Sequence, residues 1–570
     1  MPTENLTRFT LSLPTLLGVT ILLASASQIL AAEKSTRPNI VLVMTDDQGI
    51  GDLSCHGNPI LQTPAIDSFS NASTAIERFY VSPVCAPTRA SLMTGRYAYR
   101  TGVVHTSRGG ALMRGDEKTL AEYLSELGYQ TGIFGKWHLG DNFPMRPQDQ
   151  GFSRTLVHKS GGISQSPDPD NSYFDPTLYD DGHRVQKRGY CTDLFFDAAI
   201  DFIRDHHQQP FFVYLPTNTP HTPLQVDQSY AQPFMDQGVD DATAKIYGMI
   251  VNIDENFGRL LTALKEESVV DNTIVIFMTD NGANGKRFNA GFRDHKASIY
   301  EGGIRVPFFI RWPNGFPGGR KLDAMAAHID LLPTLLAAAG GELDSKRTTD
   351  GRSLLPLLTT RTKIDHSRTF FLQCHRGNLP VRYHHAAIID QQYKLLLYPG
   401  TFGKWGFEPS ITQPTVELYD LLDDPGEKMN LVATKPGVVT QLRKRYDQWF
   451  DDVAAKCHPG RIALGHPAET PQVLSCYQDS QWQDNAPRGW LVTVDRDRTV
   501  DISVDDRFGI QSLTLTYNGE PLPAEPTPDS KLRVRLKAGD GVLHAIRTNS
   551  EQVQDRNLRY FNLLISPVDP

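Results

Sequence analysis

The chain has 570 residues, more than a single hydrophobic core ordinarily holds, so two or three domains are expected. Hydrophobic residues make up 39% and charged residues 21%, a balance that excludes intrinsic disorder. Lys and Arg total 57 against 65 Asp and Glu, and the net charge of -8, with no long basic run, argues against a nucleic-acid or anionic-membrane binder.

From Phe9 to Ala32 no residue is charged, Arg8 precedes the run, and Ala24-Ser25-Ala26 or Ala31-Ala32 offers a small-residue cleavage site. This pattern predicts a signal peptide over 1–32 and an exported protein, periplasmic or extracellular. An uncleaved anchor is the alternative, since an apolar run of about twenty residues can span a bilayer. Next, Ile40 to Met44 is a short apolar run that ends in Thr45-Asp46-Asp47-Gln48-Gly49. Thr273 to Met278 repeats the pattern ahead of Thr279-Asp280-Asn281-Gly282. Each reads as a buried parallel strand with a functional loop at its C-terminal end. Further strands are expected at Phe211 to Leu215 and Val306 to Arg311, and helices at Thr119 to Leu127, Leu194 to Arg204, Ala244 to Glu267 and Ile329 to Ala339. Alternating strands and helices predict an α/β domain over 36–365, with a mainly parallel central sheet flanked by helices.

From about His366 the texture changes. Ala386 to Ile389 and Tyr393 to Tyr398 read as antiparallel strands and Gly437 to Phe450 as a helix, a smaller antiparallel-sheet subdomain over 366–455. A linker is expected at 456–479. Beyond it, apolar residues alternate at Val500, Ile502 and Val504, at Leu513, Leu515 and Tyr517 ahead of Asn518-Gly519, and at Leu532, Val534 and Leu536. Period-two patterning with turn signals predicts an all-β, sandwich-like accessory module over 480–570. The six cysteines, Cys55, Cys85, Cys191, Cys374, Cys457 and Cys476, show no CxxC spacing, so zinc and thioredoxin-like readings fail. Cys457 and Cys476 could form a disulfide clamping the junction, although spacing alone does not fix pairing.

Two acidic clusters, Asp46-Asp47 and Asp280-Asn281, each end a predicted buried strand. If those strands are neighbours, four oxygen-bearing side chains converge at one sheet edge, a donor set suited to Ca²⁺ or Mg²⁺ and not to zinc. Either cluster alone is as well explained by turns and caps. The segment from Ser82 to Arg96 places Cys85 just before a predicted helix, with Arg89 four residues on. A helix N-terminus and a cation both lower a thiol pKa, so a reactive thiol is conceivable there.

Cys85-x-Pro87-Thr88-Arg89, continued by Thr94-Gly95-Arg96, resembles the signature of the type I sulfatases of the alkaline phosphatase superfamily. Other motifs are similar to that family's in matching order. Asp46-Asp47 and Asp280-Asn281 resemble its two metal pairs, Gly135-Lys136-Trp137-His138 its Gly-Lys-Trp-His block, and Thr219-Pro220-His221 its Pro-His site. Lys296, ahead of Glu301-Gly302-Gly303, resembles its sulfate-binding lysine, and Glu417-Leu418-Tyr419-Asp420-Leu421 through Asn430-Leu431 its C-terminal signature. The likeness spans about Pro38 to Phe450. Thr88 stands where Ser is commoner, Ile389 where many members place an Arg, and the β module lies outside it.

The resemblance implies an alkaline-phosphatase-like fold and hydrolysis of sulfate esters, of sulfated glycans or aryl sulfates. It implies that Cys85 is converted to 3-oxoalanine (Cα-formylglycine) by a formylglycine-generating enzyme. Asp46, Asp47, Asp280, Asn281 and residue 85 would hold one Ca²⁺. His221 and Lys296 would bind sulfate and protonate the leaving oxygen, His138 would take the proton that lets sulfate leave, and Arg89 and Lys136 would stabilise developing negative charge. A phosphodiester or phosphonate monoester hydrolase of the same superfamily is the enzymatic alternative. A carbohydrate-binding protein that uses Trp482 and Trp490 is the non-enzymatic one. The tracts Gly161 to Asp181 and Thr401 to Gln413 are expected to line the cleft, and His375, His384 and His385 are candidates for substrate contact.

Overall fold

A computed structural model describes residues 1, 37–360, 367–377, 379–399, 413–454, 456–480, 488–505, 513–547 and 561–568. The proposed signal peptide, tract 401–412 and Trp482 lie outside these. Ten strands form the principal sheet: β1 (Asn39–Thr45), β2 (Thr74–Tyr80), β3 (Gln130–Lys136), β4 (Arg154–His158), β5 (Thr177–Asp180), β6 (His183–Gln186), β7 (Phe211–Pro216), β8 (Thr273–Thr279), β9 (Phe308–Arg311) and β10 (Arg320–Ala327). Their order is β10-β2-β9-β8-β1-β7-β3-β4-β5-β6. The contiguous run from β8 to β4 is parallel, as is β10 with β2. The other pairings, including both made by β9, are antiparallel. The sheet is therefore mixed around a parallel centre.

The unbroken apolar runs follow from burial on both faces. In β1, Ile40, Leu42 and Met44 enter one hydrophobic layer, and Val41 and Val43 enter the other. The first layer packs against the helices Cys85–Thr94, Leu120–Glu126 and Leu331–Ala338, the second against Cys191–His206 and Asp241–Glu266. Among the described residues no helix is long and apolar enough to cross a membrane.

A second, four-stranded antiparallel sheet joins Phe370–Gln373, Ala386–Ile389, Tyr393–Leu397 and Val416–Asp420, with the helix Pro436–Val453 packed on it. After it, two five-stranded sheets share one core containing Trp490, Val500, Val534, Leu543, Leu563 and Ile565. Trp490 is fully buried and donates from its indole nitrogen to Ser475 O at 2.8 Å, so it is core and not a sugar platform.

Two expectations fail at the junction. The segment read as a linker supplies strands to both sheets: Ile462–Ala463 pairs with Arg488–Val494, and Gln472–Leu474 pairs with Leu563–Pro567. Strands this short carry no period-two pattern to detect. The Cys457–Cys476 disulfide is also absent. Cys457 is a buried free thiol whose pKa burial pushes up to about 12.

Candidate active site

Four adjacent parallel strands deliver the site at their C-terminal ends. Asp46 and Asp47 leave β1 while Asp280 and Asn281 leave β8, its hydrogen-bonded neighbour. His221 follows β7, on the other side of β1, and Lys136 and His138 follow β3, beyond β7. Backbone bonds tie these ends together: Asp46 N donates to Thr219 O at 3.0 Å, and Asp280 N to Thr45 O at 3.1 Å. Cys85 and Arg89 come from the first turns of a helix in which every residue is buried. Lys296 comes from the loop that links β8 to Glu301.

Each carboxylate meets a cation through one oxygen; Asp46 and Asp47 keep the other open, whereas Asp280 Oδ1 accepts from Asp47 N at 3.3 Å. Lys136 Nζ donates to Asp46 Oδ2 at 2.6 Å, and Arg89 donates through Nε and Nη2 to Asp280 Oδ2 at 3.1 and 2.7 Å. Lys296 Nζ bonds Asp47 Oδ1, which also accepts from Asn281 Nδ2 at 2.9 Å. That leaves Asp46 Oδ1, Asp47 Oδ2 and Asn281 Oδ1 buried with no hydrogen-bond partner. Buried oxygens are almost always satisfied, so three together mark a place for an ion. The donor set is all oxygen apart from the Cys85 sulfur and His221, and groups of Asp46 with Asp47 and His221, and of Asp46 with Cys85 and Asp280, have ligand atoms within 4.8 Å of one another. The residues present fit a hard divalent cation.

Electrostatics follow from burial. Burial, aided by Asp46, pushes the Asp280 carboxyl up to about 6, and burial raises Asp46 against the pull of Lys136. For Asp47 burial acts the same way, but Lys296, His221 and Lys136 overcome it and hold the carboxyl well below the usual range. The helix start and the nearby lysines do not acidify Cys85. Desolvation outweighs Lys136 and Lys296 and raises the thiol pKa, so residue 85 as cysteine is a poor nucleophile.

The two histidines have assignable tautomers. His138 Nε2 lies 2.8 Å from Thr106 O, so it carries the proton, and the buried Nδ1, which has no hydrogen-bond partner, keeps its lone pair. His221 Nδ1 lies 2.7 Å from Thr222 O, leaving Nε2 to face Asp47 Oδ2 at 3.8 Å. Burial lowers both pKa values, that of His221 to about 4. A cavity of about 300 Å³ opens beside Asp47, walled in part by Pro220, Thr222, Asp240, Asn284 and Lys286.

Several supporting residues escaped the sequence reasoning. Arg287 grips Asp52 through two nitrogens, at 2.7 and 2.5 Å, and donates from Nη2 to Asp47 O at 3.1 Å. It thereby holds Asp47 in a left-handed conformation, φ +66°. Thr106 fixes His138. Gly161 and Gly162 lie against the imidazoles: a Cβ on Gly161 would stand 2.5 Å from His138 Cε1, and one on Gly162 would stand 3.0 Å from His221 Cε1. Gly135, at φ +136°, has no room for a Cβ beside Pro216 O. A doubled glycine and a motif glycine were the available signals. His375, His384 and His385 form a ring cluster with Tyr99 and Tyr398.

A mixed sheet with an acidic, lysine-balanced oxygen site at its parallel strand ends, beside a buried cysteine at a helix start, defines an α/β enzyme of the alkaline phosphatase superfamily. The family model for sulfatases matches residues 38–341, and that for the C-terminal part of N-sulphoglucosamine sulphohydrolase matches 289–452. Human arylsulfatase A is 32% identical over 527 residues, covering 80% of this chain and 98% of that protein. Mouse N-acetylgalactosamine-6-sulfatase is 30% identical over 412 residues, covering 67% and 76%. The solved structure of Ps i-CgsB matches with a TM-score of 0.65 at 28% identity, covering 73% of this chain and 94% of that one, and a complex of it holds k-i-k-neocarrahexaose. The chain belongs to the sulfatase family and is a sulfuric ester hydrolase.

Proposed function

We propose that this is an exported sulfatase acting on sulfated glycans through a formylglycine at position 85 and one Ca²⁺. The observation that carries the reading is the set of open oxygens on Asp46, Asp47 and Asn281 beside Cys85, ringed by Lys136, Lys296, Arg89 and His221. Three carboxylates face three permanent cations there, so a bound divalent ion leaves the pocket net positive, as an anionic sulfate ester requires. Asp46, Asp47, Asp280 and Asn281 would hold the ion, which supplies Lewis acidity and charge neutralisation when bound. The aldehyde hydrate formed from Cys85 supplies one hydroxyl for attack on sulfur and a second for release of sulfate.

The chain's own groups then have defined tasks. Lys296 and Lys136 bind the equatorial sulfate oxygens, and Arg89 keeps Asp280 ionised and oriented. His221 presents Nε2 towards the substrate. An arriving sulfate monoanion favours its protonated form, from which the departing alcohol oxygen takes a proton. His138 accepts a proton at Nδ1 because Thr106 O fixes the proton on Nε2. The Ps i-CgsB complex with an oligosaccharide supports a glycan substrate for this chain.

Expression together with a formylglycine-generating enzyme tests the reading. The peptide spanning Cys85 should lack sulfur and react with hydrazides, and the protein should release inorganic sulfate from sulfated oligosaccharides faster than it cleaves phosphodiesters. An alkylatable Cys85 in fully active enzyme overturns the proposal.

A further inference from the structure

The β module lies beyond residue 452, where the family-model match ends, and among the described residues it touches the catalytic domain at three loops. Each holds, carries or covers a site histidine. In the first, Thr106 holds His138, and three residues on Gly109 N donates to Tyr477 O at 3.2 Å, where a Cβ on Gly109 would stand 3.2 Å from Ser480. Leu112 then enters the module's core. The second loop follows His138 directly. Asn142 Nδ2 donates to both Glu469 oxygens at 3.1 and 3.2 Å and to Val473 O at 3.1 Å, and Phe143 N donates to Glu469 Oε2 at 2.9 Å. The Phe143 ring stacks on His466 at 4.2 Å, and Met145 also enters the module's core.

The third loop carries Gly161 and Gly162 over the two imidazoles. Its start is fixed by Asp141, which accepts from Ser160 N at 3.1 and 3.0 Å. Its end is fixed by the module, where Ser166 Oγ donates to Asn562 Oδ1 at 2.6 Å and Asn562 Nδ2 donates to Pro167 O at 3.4 Å. Ser166, Asn142, Glu469 and Asn562 are all buried, so water does not compete for these bonds.

We infer that the β module is a positioning device for the sulfatase reaction: Glu469 and Asn562 set the placement of His138 and of the glycine cover over His138 and His221. They touch no reacting atom and act through Asn142 and Ser166. A pendant glycan-binding module would instead contact the catalytic domain through exposed surface and leave the histidine loops self-supported. The inference rests on the assignment of His138 and His221 to proton transfer under Proposed function.

The test uses point variants of the full chain with rates normalised to the fraction of Cys85 converted. Glu469→Ala and Ser166→Ala should lower kcat on a small nitrophenyl sulfate by roughly 10- to 100-fold, the scale of a misplacement near 1 Å. KM should move less than about twofold. Glu469→Gln keeps an acceptor for Phe143 N and should recover most of the rate. Hydrogen exchange should rise in 106–109, 139–145 and 160–167 of Glu469→Ala but not at the ends of β1 and β8. Unchanged kcat per folded molecule in both alanine variants overturns the inference. So does a loss confined to polymeric substrates, which would make the module a substrate binder. His138→Ala separates the two claims: full activity there sinks the proton-transfer assignment, whatever the module variants do.

Discussion

Thr45 at the end of β1 stands directly opposite Thr279 at the end of β8 in parallel register. Both strands therefore run out at the same level, and Asp46-Asp47 and Asp280-Asn281 step off side by side. Thr279 Oγ1 donates to Gln48 O at 2.9 Å, which stitches the two loops just past the ladder. A slip of one residue would turn one pair away from the site, since successive side chains alternate faces.

Because that register leaves three oxygens open, added Ca²⁺ should stabilise the folded chain. At about 100 times its Kd the gain is about 2.7 kcal/mol. A calorimetric scan with and without Ca²⁺ after chelation should show the rise in Tm. Asn281→Ala removes one open oxygen and leaves the three ion pairs, so its shift should shrink by more than half. An equal shift in that variant would place the ion elsewhere.

Gly161→Ala should lower turnover without unfolding the chain. The new methyl would sit 2.5 and 2.6 Å from His138 Cε1 and Nε2, so the ring or the loop must move. The Thr106–His138 bond is the first casualty. Expected is a fall in kcat of roughly 100-fold at near-normal KM, with Tm lowered only modestly. Gly162→Ala meets His221 at 3.0 Å and should cost less. Wild-type kcat in Gly161→Ala would show that the loop lies away from His138 in solution.

Much of the site was legible because its residues sit in short local motifs at the ends of strands that are apolar throughout. β1, β7 and β8 announce themselves, since both faces of each are buried. β3 does not: Gly132 and Gly135 dilute its pattern, although it positions Lys136 and His138. β2 hides behind Glu77 and Arg78, the latter buried against Asp323 at 2.7 Å and Gln391. What sequence could not reveal are supports formed between distant segments. Arg287 and Asp52 lie 235 positions apart, and Ser166 and Asn562 lie 396 apart. Neither partner alone differs from an ordinary polar residue, and pairing appears only when the chain is folded.

The Glu-Gly-Gly segment is joined to the second sheet by a buried ion triad. Lys394 Nζ lies 2.9 Å from both Glu301 Oε1 and Glu427 Oε1, with none of the three side chains exposed. Glu301 N also donates to Glu427 Oε2 at 2.7 Å. Removing one member of such a cluster strands the others in a low-dielectric interior. Lys394→Met should destabilise the protein by about 3–5 kcal/mol, measured by urea unfolding. Lys394→Arg keeps the charge and should lose less. A Met variant within about 1 kcal/mol of wild type would mean that the carboxylates already share a proton.

Asp254 gives a pH dependence whose sign is fixed by its surroundings. On the helix Asp241–Glu266 it caps another helix, Pro64–Ala72, accepting from Ala65 N at 3.1 Å and Ile66 N at 2.8 Å. Burial nevertheless dominates and pushes its carboxyl up to about 6 from an ordinary 3.8. Between those values the folded chain binds this proton more tightly than the unfolded chain does, so the group's contribution to stability is full below the window and falls as pH rises through it. Asn at this position keeps an acceptor and does not titrate. The Tm of Asp254→Asn minus that of wild type should therefore become more positive from pH 4 to pH 7, whatever its value at either end. Other carboxylates titrate equally in both proteins and cancel from the difference. A difference that stays flat, or turns more negative with rising pH, would show that the two amide donors outweigh burial and that the Asp254 carboxyl is held below its ordinary range.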